Sequence, residues 1–227
     1  MLGHAIGQIL PLAVATALSP IPIIGIVLVL ATPRAKANAL AFLGGWMIGL
    51  AVVGAVVLLV SSGADATGDT GAPATWVSIL KILLALVLLR MAFKNWHARP
   101  KADEHGEMPG WLKSVDKFTA TRSLTMGAAL AALNPKNLVL TIAAAAAIAQ
   151  TGMEAGDQAM ALVVFVLIGT IGVAVPIVLF FTLGKRSDRT LGNLKQWMAQ
   201  NNAVIIAVLC LIIAAKLLGD GISGLTA

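Results

Sequence analysis

Six long apolar stretches run through the chain, at approximately 5–31, 38–61, 75–93, 124–149, 158–182 and 202–219. Each is long enough for a membrane-crossing helix, which needs about 20 consecutive, mostly apolar residues. The polar positions gather between them, and their charges alternate. The first connection, 32–37, carries Arg34 and Lys36, and the second, 61–74, carries Asp65 and Asp69 without a basic residue. The third, 94–123, holds Lys94, Arg99, Lys101, Lys113, Lys117 and Arg122; the fourth, 150–157, has Glu154 and Asp157; the fifth, 184–201, has Lys185, Arg186, Arg189 and Lys195. Basic residues mark cytoplasmic connections. The pattern therefore predicts six spans, with odd-numbered connections inside and both termini outside. An odd number of spans would break this phase.

Two connections show a further pattern. Trp111, Leu112, Val115 and Phe118 fall on one helical face, which predicts a short amphipathic helix on the inner leaflet. Leu191, Leu194, Trp197 and Met198 predict a second one in the fifth connection. The plain reading of both is interfacial anchoring, and the sharper one is a dock for a lipid headgroup or a partner. Trp96 and His97 fit the aromatic belt at the end of span three.

Within the spans, two motifs interrupt the helix. Span one contains Ser19-Pro20-Ile21-Pro22, and span four contains Asn134-Pro135-Lys136-Asn137. Proline removes a backbone donor and clashes with the preceding turn, so both spans are expected to kink or break. Pro20 lies about 20 Å into its span and Pro135 roughly 17 Å, at 1.5 Å per residue. Both breaks thus fall near the bilayer middle, in helices running in opposite directions. The expected architecture is an all-α polytopic membrane protein whose six transmembrane helices form two inverted three-helix repeats. Its units are 1–93, a cytoplasmic loop at 94–123, and 124–227. Midplane breaks in inverted repeats form the substrate site of secondary transporters. Gly44, Gly45, Gly49 and Gly54 in span two, and Gly169, Gly172 and Pro176 in span five, add small residues that permit close packing or bending.

Composition supports the membrane assignment. The chain is 59% hydrophobic and 11% charged, against roughly 25% charged residues in soluble domains. Its net charge of +6 lies beside the hydrophobic segments, as expected of leaflet anchors rather than a nucleic-acid surface. Residues 1–18 contain no Lys or Arg, so the first stretch reads as a retained span rather than a signal peptide. The sole cysteine, Cys210, lies in an apolar run; it reads as a packing residue and excludes a thiol relay.

Charge inside the spans bears on the cargo. Lys81, Lys136 and Lys216 fall within spans, whereas the ten acidic residues fall in connections or at span ends. A buried ammonium needs a partner, a wet cavity or an anionic ligand. Lys136 sits on a break and is the foremost substrate-binding candidate, with Ser19, Asn134 and Asn137 supplying neutral hydrogen bonds beside Pro20, Pro22 and Pro135. Lys81 and Lys216 read either as snorkelling to the outer headgroups or as an anion-attracting vestibule. The lack of membrane carboxylates argues against a divalent-metal carrier. His4 and His105 have no metal-ligand spacing, no nucleophile and base share a depth, and neither an enzyme activity nor a cofactor is expected.

The paired proline motifs and the three-plus-three layout resemble the lysine exporter (LysE) superfamily, across nearly the whole chain. Within it the chain is most similar to the GAP, or sulfolipid-addressing protein (Sap), family. That resemblance implies an inner-membrane protein that moves a lipid-linked or glycolipid cargo toward the cell envelope, and Lys136 with the absence of membrane carboxylates makes the expected cargo anionic. Amino-acid exporters of the superfamily usually have glycine between the paired prolines, where this chain has Ile21. The competing readings are export of small amino acids or related metabolites, and a non-transporting scaffold for envelope lipid assembly. The partners these readings imply are membrane lipids, a lipid-linked or small-molecule substrate and envelope lipid biosynthesis proteins, and the glycine-rich spans allow a second copy in a homodimer.

Overall fold

The computed structural model describes residues 1–63, 75–99 and 119–226. These form eight α-helices: α1 (Leu2–Ala17), α2 (Pro20–Leu30), α3 (Ala35–Gly63), α4 (Thr75–His97), α5 (Ala120–Ala132), α6 (Pro135–Ala149), α7 (Ala155–Leu183) and α8 (Ser187–Thr226), with a 3₁₀ turn at Gly184–Arg186 before the last. Four of them, α3, α4, α7 and α8, are each long and apolar enough to cross a membrane. The pairs α1–α2 and α5–α6 are each bent at a short break, by 51° and 64°, and bring the number of crossings to six if each pair is one span. The order of broken pair, long helix, long helix thus occurs twice along the chain.

The breaks have a local cause. A residue before proline is pushed out of the α region by the ring. Ser19, before Pro20, has φ −97° and ψ 106°, and Asn134, before Pro135, has φ −68° and ψ 118°. Each proline then opens the next helix at its first position, where its missing N–H leaves no bond unmade. Pro11 and Pro176, by contrast, sit inside continuous helices.

Close helix approach holds the bundle together. α3 packs along α5, α1 against α7, and α4 along α8. In the first pair, a side chain on Gly45 would collide with the carbonyl of Leu124, and one on Gly127 with the carbonyl of Phe42. In the second, a Cβ on Gly172 would collide with the carbonyl of Ala17, at the end of α1. Gly44 faces open space, so of the two adjacent glycines only Gly45 is required by packing. Phe42, Trp46, Leu50 and Phe165 are fully buried between these helices.

The last helix departs from expectation. A span at 202–219 with a separate amphipathic helix before it was anticipated; instead α8 runs unbroken for 40 residues, about 60 Å at 1.5 Å per residue. The extra turns are not a free surface helix. Met198 is buried with Ile23 and Ile24 of α2, and Leu194 packs against the same cluster. The apolar face that suggested an interfacial anchor thus covers the second half of the broken pair, while Trp197 is exposed. The amphipathic stretch at Trp111–Phe118 lies outside the described residues.

Candidate functional site

The two breaks meet. The end of α1 leaves carbonyl groups without helical partners, and Lys136, at the start of α6, supplies donors. Its Nζ donates to the carbonyl of Ala15 at 2.8 Å and to that of Leu18 at 3.4 Å. Lys136 is 3% exposed. A cation at a helix C-terminus is favoured by the helix dipole, so one positive charge offsets two orphan acceptors and the negative end of α1. Among the described residues no carboxylate is paired with it; the ion pair they show is elsewhere. Cys210 of α8 lies within electrostatic reach of Lys136.

Ser19 completes the junction. Its Oγ lies 2.7 Å from the carbonyl of Thr16 and 2.8 Å from Oδ1 of Asn137, donating to both. A hydroxyl has one proton, so the two acceptors share it. Asn137 Nδ2 donates to the carbonyl of Leu130 at 3.2 Å, which serves the end of α5 as Lys136 serves the end of α1. This bond also fixes the amide orientation, because the flipped amide would set an oxygen against the Leu130 carbonyl. Ser19 is free to face Asn137 because α2 makes no side-chain cap, and Pro22 has no N–H to offer one. Asn134, the matching residue in the other half, does cap its helix, accepting from the N–H of Lys136 at 3.2 Å. Pro20 and Pro22 are buried beside the junction. Ser19, Pro20, Pro22, Asn134, Pro135, Lys136 and Asn137 are therefore gathered at one place, and Lys136 and Asn137 join the two halves.

Lys81 and Lys216 stand apart from it, between α4 and α8. Lys216 Nζ donates to Oδ2 of Asp220 at 2.5 Å, one helical turn away. Lys81 is 5% exposed and lies within electrostatic range of both Asp220 and Lys216. A lysine stretched along the lipid face does not describe Lys81, which is covered by α8. Asp220, expected at the end of the sixth span, lies within the continuous α8 and supplies a carboxylate to Lys216. Its (i, i+4) spacing from Lys216 was the available signal. The buried hydroxyl of Ser78, one turn before Lys81, has no partner. The carbonyls of Ala15, Thr16 and Leu18 had no signal in residue identity, because backbone acceptors appear only once the helix ends. Among the described residues no three His, Cys, Asp or Glu side chains are grouped to hold a metal ion.

Apolar helices, two of them broken and joined through a buried, positively charged junction, define a multi-pass membrane protein. The family model described as Sap, sulfolipid-1-addressing protein, matches residues 9–223, and the chain belongs to that family. No curated protein and no solved structure matches the chain.

Proposed function

We propose that this Sap-family protein is a transporter that moves an anionic, lipid-linked or glycolipid cargo across the inner membrane toward the cell envelope, through the junction of the two broken helices. The observation that carries this reading is the buried Lys136 ammonium, held by backbone carbonyls rather than a carboxylate. Its charge is solvated by neutral dipoles, so it remains available to an incoming anion. The family's name refers to a sulfolipid, and a sulfated glycolipid is the cargo we assign.

The packing supports an inverted-repeat mechanism. Exchanging the halves (α1 with α5, α2 with α6, α3 with α7, α4 with α8) maps several of the contacts onto one another: α1 on α7 becomes α5 on α3, α2 on α8 becomes α6 on α4, and α4 on α8 maps onto itself. Such a pseudo-twofold pairing is the basis on which transporters of the lysine exporter type would rock one half against the other. With Lys136 at 3% exposure, the junction is closed in this conformation. Transport then requires the halves to part and trades the Ala15 and Leu18 carbonyls for a cargo oxyanion.

Replacing Lys136 tests the reading. Lys136→Gln keeps a neutral donor for the carbonyls and removes the charge. Cells carrying it should contain normal amounts of membrane-inserted protein, yet lose the outer-envelope glycolipid from their lipid profile, as cells lacking the protein should. An unchanged profile would remove the Lys136 charge from the mechanism. Loss of amino-acid efflux with glycolipids unaffected would redirect the proposal to small metabolites.

A further inference from the structure

A second feature lies on the outside of the bundle. Where α4 and α8 run side by side toward the His97 end of α4, they leave an open groove of about 720 Å³, within the roughly 300–1,000 Å³ of small-molecule sites. Its floor is the helix seam, where Ala92 and Ala207 are small and buried. Its walls are apolar, with Phe93 and Leu211 exposed at 69% and 55%. Two cations, Arg90 and Lys94, line the same groove.

Those cations are one helical turn apart on one face, an arrangement in which like charges destabilise a helix. Among the described residues neither has a carboxylate partner. Arg90 stands seven residues before His97, about 10 Å along the helix axis, so it approaches the groove from within the apolar belt. Arg99 covers the ring of Trp96 at 4.3 Å, placing an interfacial aromatic and a third cation beside the groove. An occupant must therefore be apolar along the α4–α8 seam and anionic where Arg90 and Lys94 converge. A membrane lipid with an acyl chain and an anionic headgroup has that shape and charge.

We propose that the α4–α8 groove binds an anionic membrane lipid, its acyl chain on Ala92 and Ala207 and its headgroup on Arg90 and Lys94. The basic character of this end of α4 assigns the lipid to the cytoplasmic leaflet. The site is separate from the Lys136 junction and stands without reference to the cargo.

The test uses the full-length protein purified in mild detergent, offered phosphatidylglycerol or phosphatidylcholine with identical acyl chains, with retained lipid counted by native mass spectrometry. The wild type should retain phosphatidylglycerol preferentially. The double variant Arg90→Gln/Lys94→Gln should bind it at least tenfold more weakly, since each basic residue near an anionic surface contributes about fivefold. Phosphatidylcholine retention should not change. Val208→Trp, which fills the groove from an exposed position, should reduce both. Equal retention of the two lipids by the wild type, or undiminished phosphatidylglycerol binding by the double variant, would overturn the proposal. So would a lipid-free dimer, which would assign the groove to a second copy of the chain.

Discussion

The hydroxyl of Ser19 and the side-chain amide of Asn137 lie 2.8 Å apart although 118 positions separate them in the chain. With the bond from Lys136 to Ala15, this contact ties the first broken helix to the second. Both partners are buried, so neither can exchange its bond for water. Ser19→Ala removes the proton shared by Asn137 and Thr16 and should lower stability by about 1–3 kcal/mol, the cost of unsatisfied buried acceptors. Asn137→Leu also strips the donor from Leu130 and should cost more. The two changes should be less than additive, as residues in one network are. Thermal unfolding of the single and double variants in detergent checks this; full additivity would mean that the contact carries no coupling.

Adjacent glycines should respond in opposite ways. Gly45→Val drives a side chain into the Leu124 carbonyl and should abolish folded protein, whereas Gly44→Val enters open space and should be tolerated. Gly172→Val should fail as Gly45→Val does, since it meets the carbonyl of Ala17 at the end of α1. Folded yield by fluorescence-detected size-exclusion chromatography separates these outcomes. Equal yields for the Gly44 and Gly45 variants would contradict the close approach of α3 and α5.

Asp220 offsets two cations at the α4–α8 seam. Asp220→Asn leaves Lys216 and the buried Lys81 facing each other without a carboxylate, and should lower the melting temperature. Adding Lys81→Met should recover most of the loss, because the remaining lysine is 24% exposed and can reach solvent or headgroups. Lys216→Met alone should matter less, since Asp220 then still serves Lys81. If Asp220→Asn proves neutral in thermal unfolding, the two lysines do not depend on it.

The apolar helices and the two breaks were legible because each follows from a local rule. Apolar length sets a crossing, and the residue before proline leaves the α region, as Ser19 and Asn134 do. The identity of the junction's cation was legible for the same reason, since Lys136 sits on one of those breaks. What it touches was not, because the acceptors on Ala15 and Leu18 are backbone groups belonging to another segment. The continuity of α8 was also hidden: an amphipathic stretch looks alike whether its apolar face meets lipid or the Ile23–Ile24 patch. Asp220 stood at a span end in the sequence pattern, and its role beside Lys216 became visible only with the continuous α8. Arg90, near the end of the third apolar stretch, carries no signal in the sequence for the α4–α8 groove it lines, because the groove exists only where two distant helices meet.

Reconstitution measures the central claim most directly. Purified protein is placed in vesicles containing a fluorescently labelled sulfated glycolipid, with and without a proton gradient, and label exposed on the outer leaflet is destroyed by a membrane-impermeant reductant. Wild-type vesicles should lose label beyond the outer-leaflet share, as lipid crosses and becomes exposed, while Lys136→Gln vesicles should keep the inner share as empty vesicles do. Wild-type vesicles indistinguishable from empty ones, or a Lys136→Gln protein that moves lipid as fast as the wild type, would contradict the account.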